Sequence, residues 1–103
     1  MKVISELSDM ISEEIEDADK YVSCALRYKD TYKNLAEVLF TISTEEMRHM
    51  SMLHTEVVKL IEQYRREKGE PPADMLAVYD YLHKKQIENA SSVKSKQTLF
   101  KET

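Results

Sequence analysis

The sequence contains few residues that interrupt or cross-link a chain, with one glycine, two prolines and one cysteine in 103 residues. Few helix breakers favour long helices, and the single cysteine, Cys24, excludes an internal disulfide. No apolar run approaches the roughly 18 to 20 residues that span a bilayer. The first residues also lack the apolar segment of a signal peptide. We therefore expect an all-helical, cytoplasmic protein that does not enter a membrane.

A strong charge of one sign is also missing. The net charge is −4, the isoelectric point is about 5.4, and lysines and arginines are scattered along the chain. This pattern argues against a nucleic-acid partner or an anionic membrane surface. The apolar content of 42% is too high for a disordered chain. The composition thus predicts a folded helical protein without a nucleic-acid partner.

Two segments are typical of turns, at 29–33 and at 69–72. They predict three helices in one domain, over about residues 3–28, 35–68 and 73–101. Asn34 followed by Glu37 is typical of an N-terminal capping pair, and Gly69 with two prolines is typical of a helix end. The predicted fold is all-α, a long antiparallel hairpin plus a third helix. A second helix of about 50 Å cannot be covered by one short chain, so we expect self-association.

The apolar stripes of the first two helices contain three ionisable residues. Steps of three and four residues along each helix define these stripes. The first stripe comprises Ile4, Leu7, Ile11, Glu14, Ala18, Tyr21, Ala25 and Tyr28. The second comprises Leu39, Ile42, Glu46, His49, Leu53, Glu56 and Leu60. Buried carboxylates need a counter-charge, a proton or a metal, so these three residues require a shared explanation.

The spacing of these residues predicts that they meet. Glu14 lies 16 residues before Asp30 and Glu46 lies 16 residues after it, so an antiparallel hairpin places them at the same height. His49 follows Glu46 by three residues and projects to the same side of its helix. This is the Glu-x-x-His arrangement of di-iron helical bundles. Carboxylates with an imidazole suit iron or manganese, whereas a structural zinc site normally recruits several cysteines.

These motifs resemble those of ferritins and rubrerythrins. Segment 45–53 reads Glu-Glu-x-x-His with a leucine four residues after the histidine, and Glu14 is followed by Tyr21 and Ala25 as in the first helix of that family. The 32-residue interval from Glu14 to Glu46 also fits the family's hairpin. The resemblance implies that Glu14 and His49 are terminal ligands and Glu46 a bridging ligand of a two-metal centre. It further implies oxidation of Fe(II) by oxygen or peroxide, a ferroxidase activity.

The chain differs from that family in length, because a complete ferritin-like bundle has four helices and two such ligand sets. Two copies of Glu14, Glu46 and His49 would supply four carboxylates and two histidines. The arrangement would be similar to encapsulated ferritins, in which paired protomers build the centre at their interface. We therefore expect a homodimer or larger homo-oligomer with two irons, or manganese, in each shared site.

Several alternatives stay open at this point. The three residues can instead form a buried polar network that sets helix register in a non-enzymatic assembly module. A rubrerythrin-type peroxide reductase would need a separate reductant, since that family's cysteine-rich domain is missing here.

The third helix offers rival ligands. Asp80 and His83 have carboxylate-x-x-His spacing, but His83 lies about 9 Å from the height of His49 in a simple hairpin. Glu88 matches His49 in height and points away from the apolar stripe. For His83 and for His54, a packing or interface role is favoured over metal ligation.

Overall fold

A computed structural model describes residues 1–102 as three helices. Helix α1 is Lys2–Tyr28, α2 is Lys33–Lys68 and α3 is Ala73–Glu102. Together they form a rod of 55 × 19 × 18 Å. The all-α prediction, a long hairpin plus a third helix, is confirmed.

The turn between α1 and α2 is tight. The carbonyl of Tyr28 accepts hydrogen bonds from the backbone N–H groups of Thr31 and Tyr32, at 3.2 and 2.8 Å. Helix α2 begins at Lys33 with Tyr32 as N-cap, and no side chain caps its first turn. The predicted Asn34–Glu37 capping pair is therefore wrong, since the helix starts two residues earlier than expected and encloses Asn34 in its first turn.

The end of α2 follows the sequence signal at Gly69. Its φ of 82° lies in the left-handed region that glycine tolerates, and its N–H donates to the carbonyl of Arg65 at 3.1 Å. The two prolines after Glu70 then prevent the helix from continuing. The chain reverses here, and α3 returns along the hairpin.

The core lies mainly between α1 and its two neighbours. One cluster of buried side chains occupies the middle of the rod: Ile11, Ile15, Ala18, Val22, Met47 and Val93. A second cluster, formed by Ala25, Ala36 and Phe100, lies near the first turn. Phe40 of α2 extends the second cluster by stacking on Phe100, with ring centroids 4.7 Å apart.

Polar contacts fix the position of α3 on the hairpin of its own chain. The buried Gln86 amide donates to the carbonyl and hydroxyl of Ser8 and to the hydroxyl of Ser12, each at 3.1 Å. Further along, the Lys96 ammonium contacts Asp19 at 2.8 Å. Helix α3 packs much more closely on α1 than on α2. An open cleft therefore separates α2 from α3.

Over residues 1–102, none of the three helices combines the length and apolar character that crossing a bilayer requires.

Candidate metal centre

The three sequence-predicted ligands meet in the structure. Glu14 projects from α1, and Glu46 and His49 project from successive turns of α2. One ligand atom of each residue lies within 4.8 Å of the other two. Within residues 1–102, this is the one such group of three histidine, cysteine or carboxylate side chains. The hairpin therefore brings the predicted residues together.

The cluster lies on the side of the hairpin that faces away from α3. Glu14 is about 160° around α1 from Ser12, which contacts α3. His49 is likewise about 140° around α2 from His54, whose ring packs against α3. Consequently α3 does not cover the cluster, and a molecule can approach it from outside.

One oxygen of Glu14 has an unusual environment. Its Oε2 atom is buried and, among the described residues, receives no hydrogen bond. The imidazole of His49 lies beside it, with Nδ1 at 3.5 Å from Oε2, beyond normal hydrogen-bond distance. The side chains are 25% exposed for Glu14 and 45% for His49. A buried carboxylate oxygen without a donor is costly, and a cation bound there would remove that cost.

Glu46 is the most strongly perturbed acid. Its pKa is raised from 4.5 to about 7, first by the hydrogen bond that a protonated Glu46 carboxyl would donate to Glu14, then by burial and by the negative charge of Glu14. The charge of Asp17 raises it further, whereas His49 lowers it. Two carboxylates this close share a proton when no cation neutralises them. The site is therefore built so that a proton or a metal ion must compensate its charge.

The donor set fits a transition-metal ion. Two carboxylates and an imidazole are the ligands preferred by iron and manganese, and three ligands from one side leave further coordination positions open. The orphaned Glu14 oxygen supports the same interpretation. The residues present thus fit a metal site with two carboxylate ligands and one imidazole ligand.

The residues flanking the ligands differ in their placement. Tyr21 is half-buried on the ligand stripe of α1, about 10 Å along the axis from Glu14. Ala25 is fully buried in the second core cluster, so its role is packing. Glu45 is exposed beside Glu46, and the structure does not bring it into the group.

The rival ligands of α3 do not join the cluster. Asp80 and Glu88 are exposed, and His83 lies over His54 rather than near His49. The two imidazole rings are 4.9 Å apart and nearly parallel, with an interplanar angle of 11°. Sequence reasoning missed this pair. A signal was available, because His54 lies 15 residues before Gly69 and His83 lies 14 after it.

No protein-family model, curated protein or solved structure matches this chain. Functional inference therefore depends on the geometry of the site and on the two motifs that resemble ferritins and rubrerythrins.

Proposed function

We propose that this chain is the subunit of a di-iron carboxylate protein that oxidises Fe(II) with oxygen or peroxide. In this proposal two copies face each other, and each contributes Glu14, Glu46 and His49 to a shared centre. The observation that carries the proposal is the convergence of these three ligands within 4.8 Å, with a buried Glu14 oxygen that has no donor.

The surroundings of the cluster support pairing with a second copy. The side chains beside the ligands on the same face are apolar and only half-buried in one chain: Leu7, Tyr21, Leu39, Ile42, Leu53 and Leu60. Covering this strip with an identical strip would bury apolar area on both copies. A twofold axis through the strip would also bring the two ligand sets together, giving four carboxylates and two histidines.

Each ligand has a distinct role in this proposal. Glu14 and Glu46 provide the hard anionic oxygens that favour the ferric over the ferrous state. Glu46 would release its shared proton as the cation enters, because the positive charge replaces the proton between the carboxylates. His49 would bind as a neutral imidazole. Bound iron would supply the electrons that pass to the oxidant, and Fe(II) is also the substrate.

The test is iron stoichiometry at known oligomeric mass. Anaerobic Fe(II) loading should give about one iron per chain in a dimer or a multiple of it. Glu46→Ala should abolish binding of the pair, whereas Glu45→Ala, a change of the exposed neighbouring carboxylate, should retain it. Iron bound equally by Glu46→Ala would show that the ligand assignment is wrong. Mixing the loaded protein with oxygen would then measure ferroxidase turnover directly.

A second candidate function is a metal-free assembly module, and the raised pKa of Glu46 is the observation in its favour. A proton shared between Glu14 and Glu46 can neutralise the cluster and leave a buried polar layer that sets the pairing of copies. This candidate predicts a stable oligomer with no bound iron. A dimer whose melting temperature responds neither to iron nor to a chelator would select it.

A further inference from the structure

The cleft between α2 and α3 holds a second pair of ionisable residues. His54 and His83 border two adjoining cavities of about 440 and 160 Å³. Their stacked rings form a bridge across a cleft in which the two helices otherwise pack loosely. The contact between these rings is therefore a main link between α2 and the first half of α3.

The surroundings of the histidine pair carry little compensating charge. From α3, Asp80 lines the smaller cavity and Lys94 lines the larger one. From α1, the lining residues Ile4, Ser8 and Ile11 carry no charge. From α2, the other lining residues are likewise uncharged: Met50, Ser51, Thr55, Val57, Val58 and Ile61. Asp80 is thus the single acid facing the pair, and it is exposed to water.

The stacked geometry is suited to neutral rings. Two neutral imidazoles attract each other when they lie face to face, whereas two imidazolium ions at the same distance repel. Burial and the positive charge of a protonated His83 both lower the pKa of His54. Protonation of both rings therefore opposes the closed arrangement. Among the residues that line the two cavities, Asp80 alone carries a negative charge that could offset the repulsion, and it is exposed to water.

We propose that the His54–His83 stack is a pH-sensitive contact that holds α2 and α3 together at neutral pH and separates them in mildly acidic solution. This proposal is independent of the proposed iron function, because His54 lies about 140° around α2 from His49 and about 12 Å along the helix axis from Glu46.

The structure also indicates which part of α3 moves. Near the first turn, α3 is held to α2 by the Phe40–Phe100 stack and by Gln97, whose amide donates to Ser43 at 3.0 Å. Towards Gly69, the contacts of α3 are mainly to α1, through Gln86 and through the Tyr79 hydroxyl. At this end the turn 69–72 also joins the two helices directly. Protonation would therefore widen the cleft around His54 and His83 and leave the end near the first turn closed.

Distance measurements between spin labels test this proposal. Labels on exposed Thr55 of α2 and Ile87 of α3, which both line the larger cavity beside the histidine pair, report across the cleft in a Cys24→Ser background. Between about pH 7.5 and pH 5.5, where histidine titrates, we expect the distance to increase by several ångströms. Labels on Glu16 of α1 and Asn89 of α3 serve as the control and should show no change.

Two variants separate the effect of charge from that of packing. His54→Phe keeps an aromatic ring against His83 and cannot be protonated, so its label distance should stay short at both pH values. His83→Phe should behave in the same way and serves as a second test if one variant folds poorly. A wild-type distance that does not change with pH, or an equal increase in both phenylalanine variants, would overturn the proposal.

Discussion

Helix α2 carries two ionisable clusters, and their histidines, His49 and His54, lie about 140° apart around the helix. On one face, Glu46 and His49 meet Glu14 of α1 where α3 does not reach. On the other, His54 meets His83 of α3 across a cleft. Both clusters bring groups of like charge together, two acids in the first and two bases in the second. The proton has opposite effects on them, because it removes charge from the acids and adds charge to the histidines.

The two clusters also differ in what can neutralise them. The carboxylates can accept either a proton or a metal cation, and Glu14 Oε2, which receives no hydrogen bond, is free to contact either. The histidine pair carries no negative charge that a cation would neutralise, and its parallel rings do not direct two nitrogen lone pairs at one point. Closeness of ionisable groups therefore does not by itself indicate a metal site; the sign of the charge and the direction of the lone pairs decide it.

Metal binding should give the largest difference between variants of the two clusters. Addition of Mn²⁺, a redox-stable probe, stabilises the folded state by about 2.7 kcal/mol at about 100 times the dissociation constant. For a chain of this size the melting temperature should rise by about 10 °C or more. Glu46→Ala should lose this rise and His54→Phe should retain it, as measured by thermal unfolding at fixed protein concentration. If the rise disappears in His54→Phe, the ion binds at the histidine pair and the prediction is wrong.

Gln86→Leu should weaken the attachment of α3 and leave the carboxylate cluster intact. The substitution removes two buried hydrogen bonds to Ser8 and a partly buried one to Ser12, and we expect a loss of about 2 kcal/mol in the free energy of unfolding. Gln97→Leu is the matched control, since Gln97 is half-buried and donates to Ser43, and it should cost about 1 kcal/mol. Denaturant unfolding measures both. Metal affinity should stay unchanged in Gln86→Leu; a large fall would mean that α3 supports the cluster after all.

The carboxylate cluster was predictable from the sequence because, in an antiparallel hairpin, residues equally far from the turn lie at the same height. Glu14 and Glu46 lie equally far from the turn, and the apolar stripe gives their direction. The helix ends were also predictable at Gly69, where glycine and prolines leave few options. The start of α2 was harder to predict. No side chain caps the N–H groups of its first turn, so the sequence contains no capping residue that marks the start.

The position of α3 could not be predicted in the same way. Its stripe contains polar residues such as His83 and Gln86, and its partners on the hairpin include Ser8 and Ser43, which are buried in the structure. Serine and glutamine at these positions look like surface residues in a sequence. Hydrogen-bonded pairs between helices have no periodic pattern, so sequence left open whether α3 returns to its own hairpin or crosses to another chain.

The smallest expected difference between the two clusters is in how the stability of the metal-free protein depends on pH. Because the pKa of Glu46 is raised to about 7 in the folded state, that state holds its proton longer than the unfolded chain does. The contribution of Glu46 to stability is therefore complete below about pH 4.5 and lost as the pH rises through 7. The pKa of His54 is lowered, so its contribution is present above about pH 6.5 and is lost as the pH falls.

The two contributions oppose each other in the wild type, and single variants should separate them. Glu46→Gln keeps a hydrogen-bond donor for Glu14 without the titration, so its melting temperature should fall more steeply than that of the wild type between pH 7 and pH 5. His54→Phe should show the reverse, with stability that increases towards acid, and the double variant should be nearly flat. Melting temperatures measured with a chelator present give all four profiles. If both single variants shift the profile in the same direction, the two clusters are coupled through α2 and cannot be treated as independent sites.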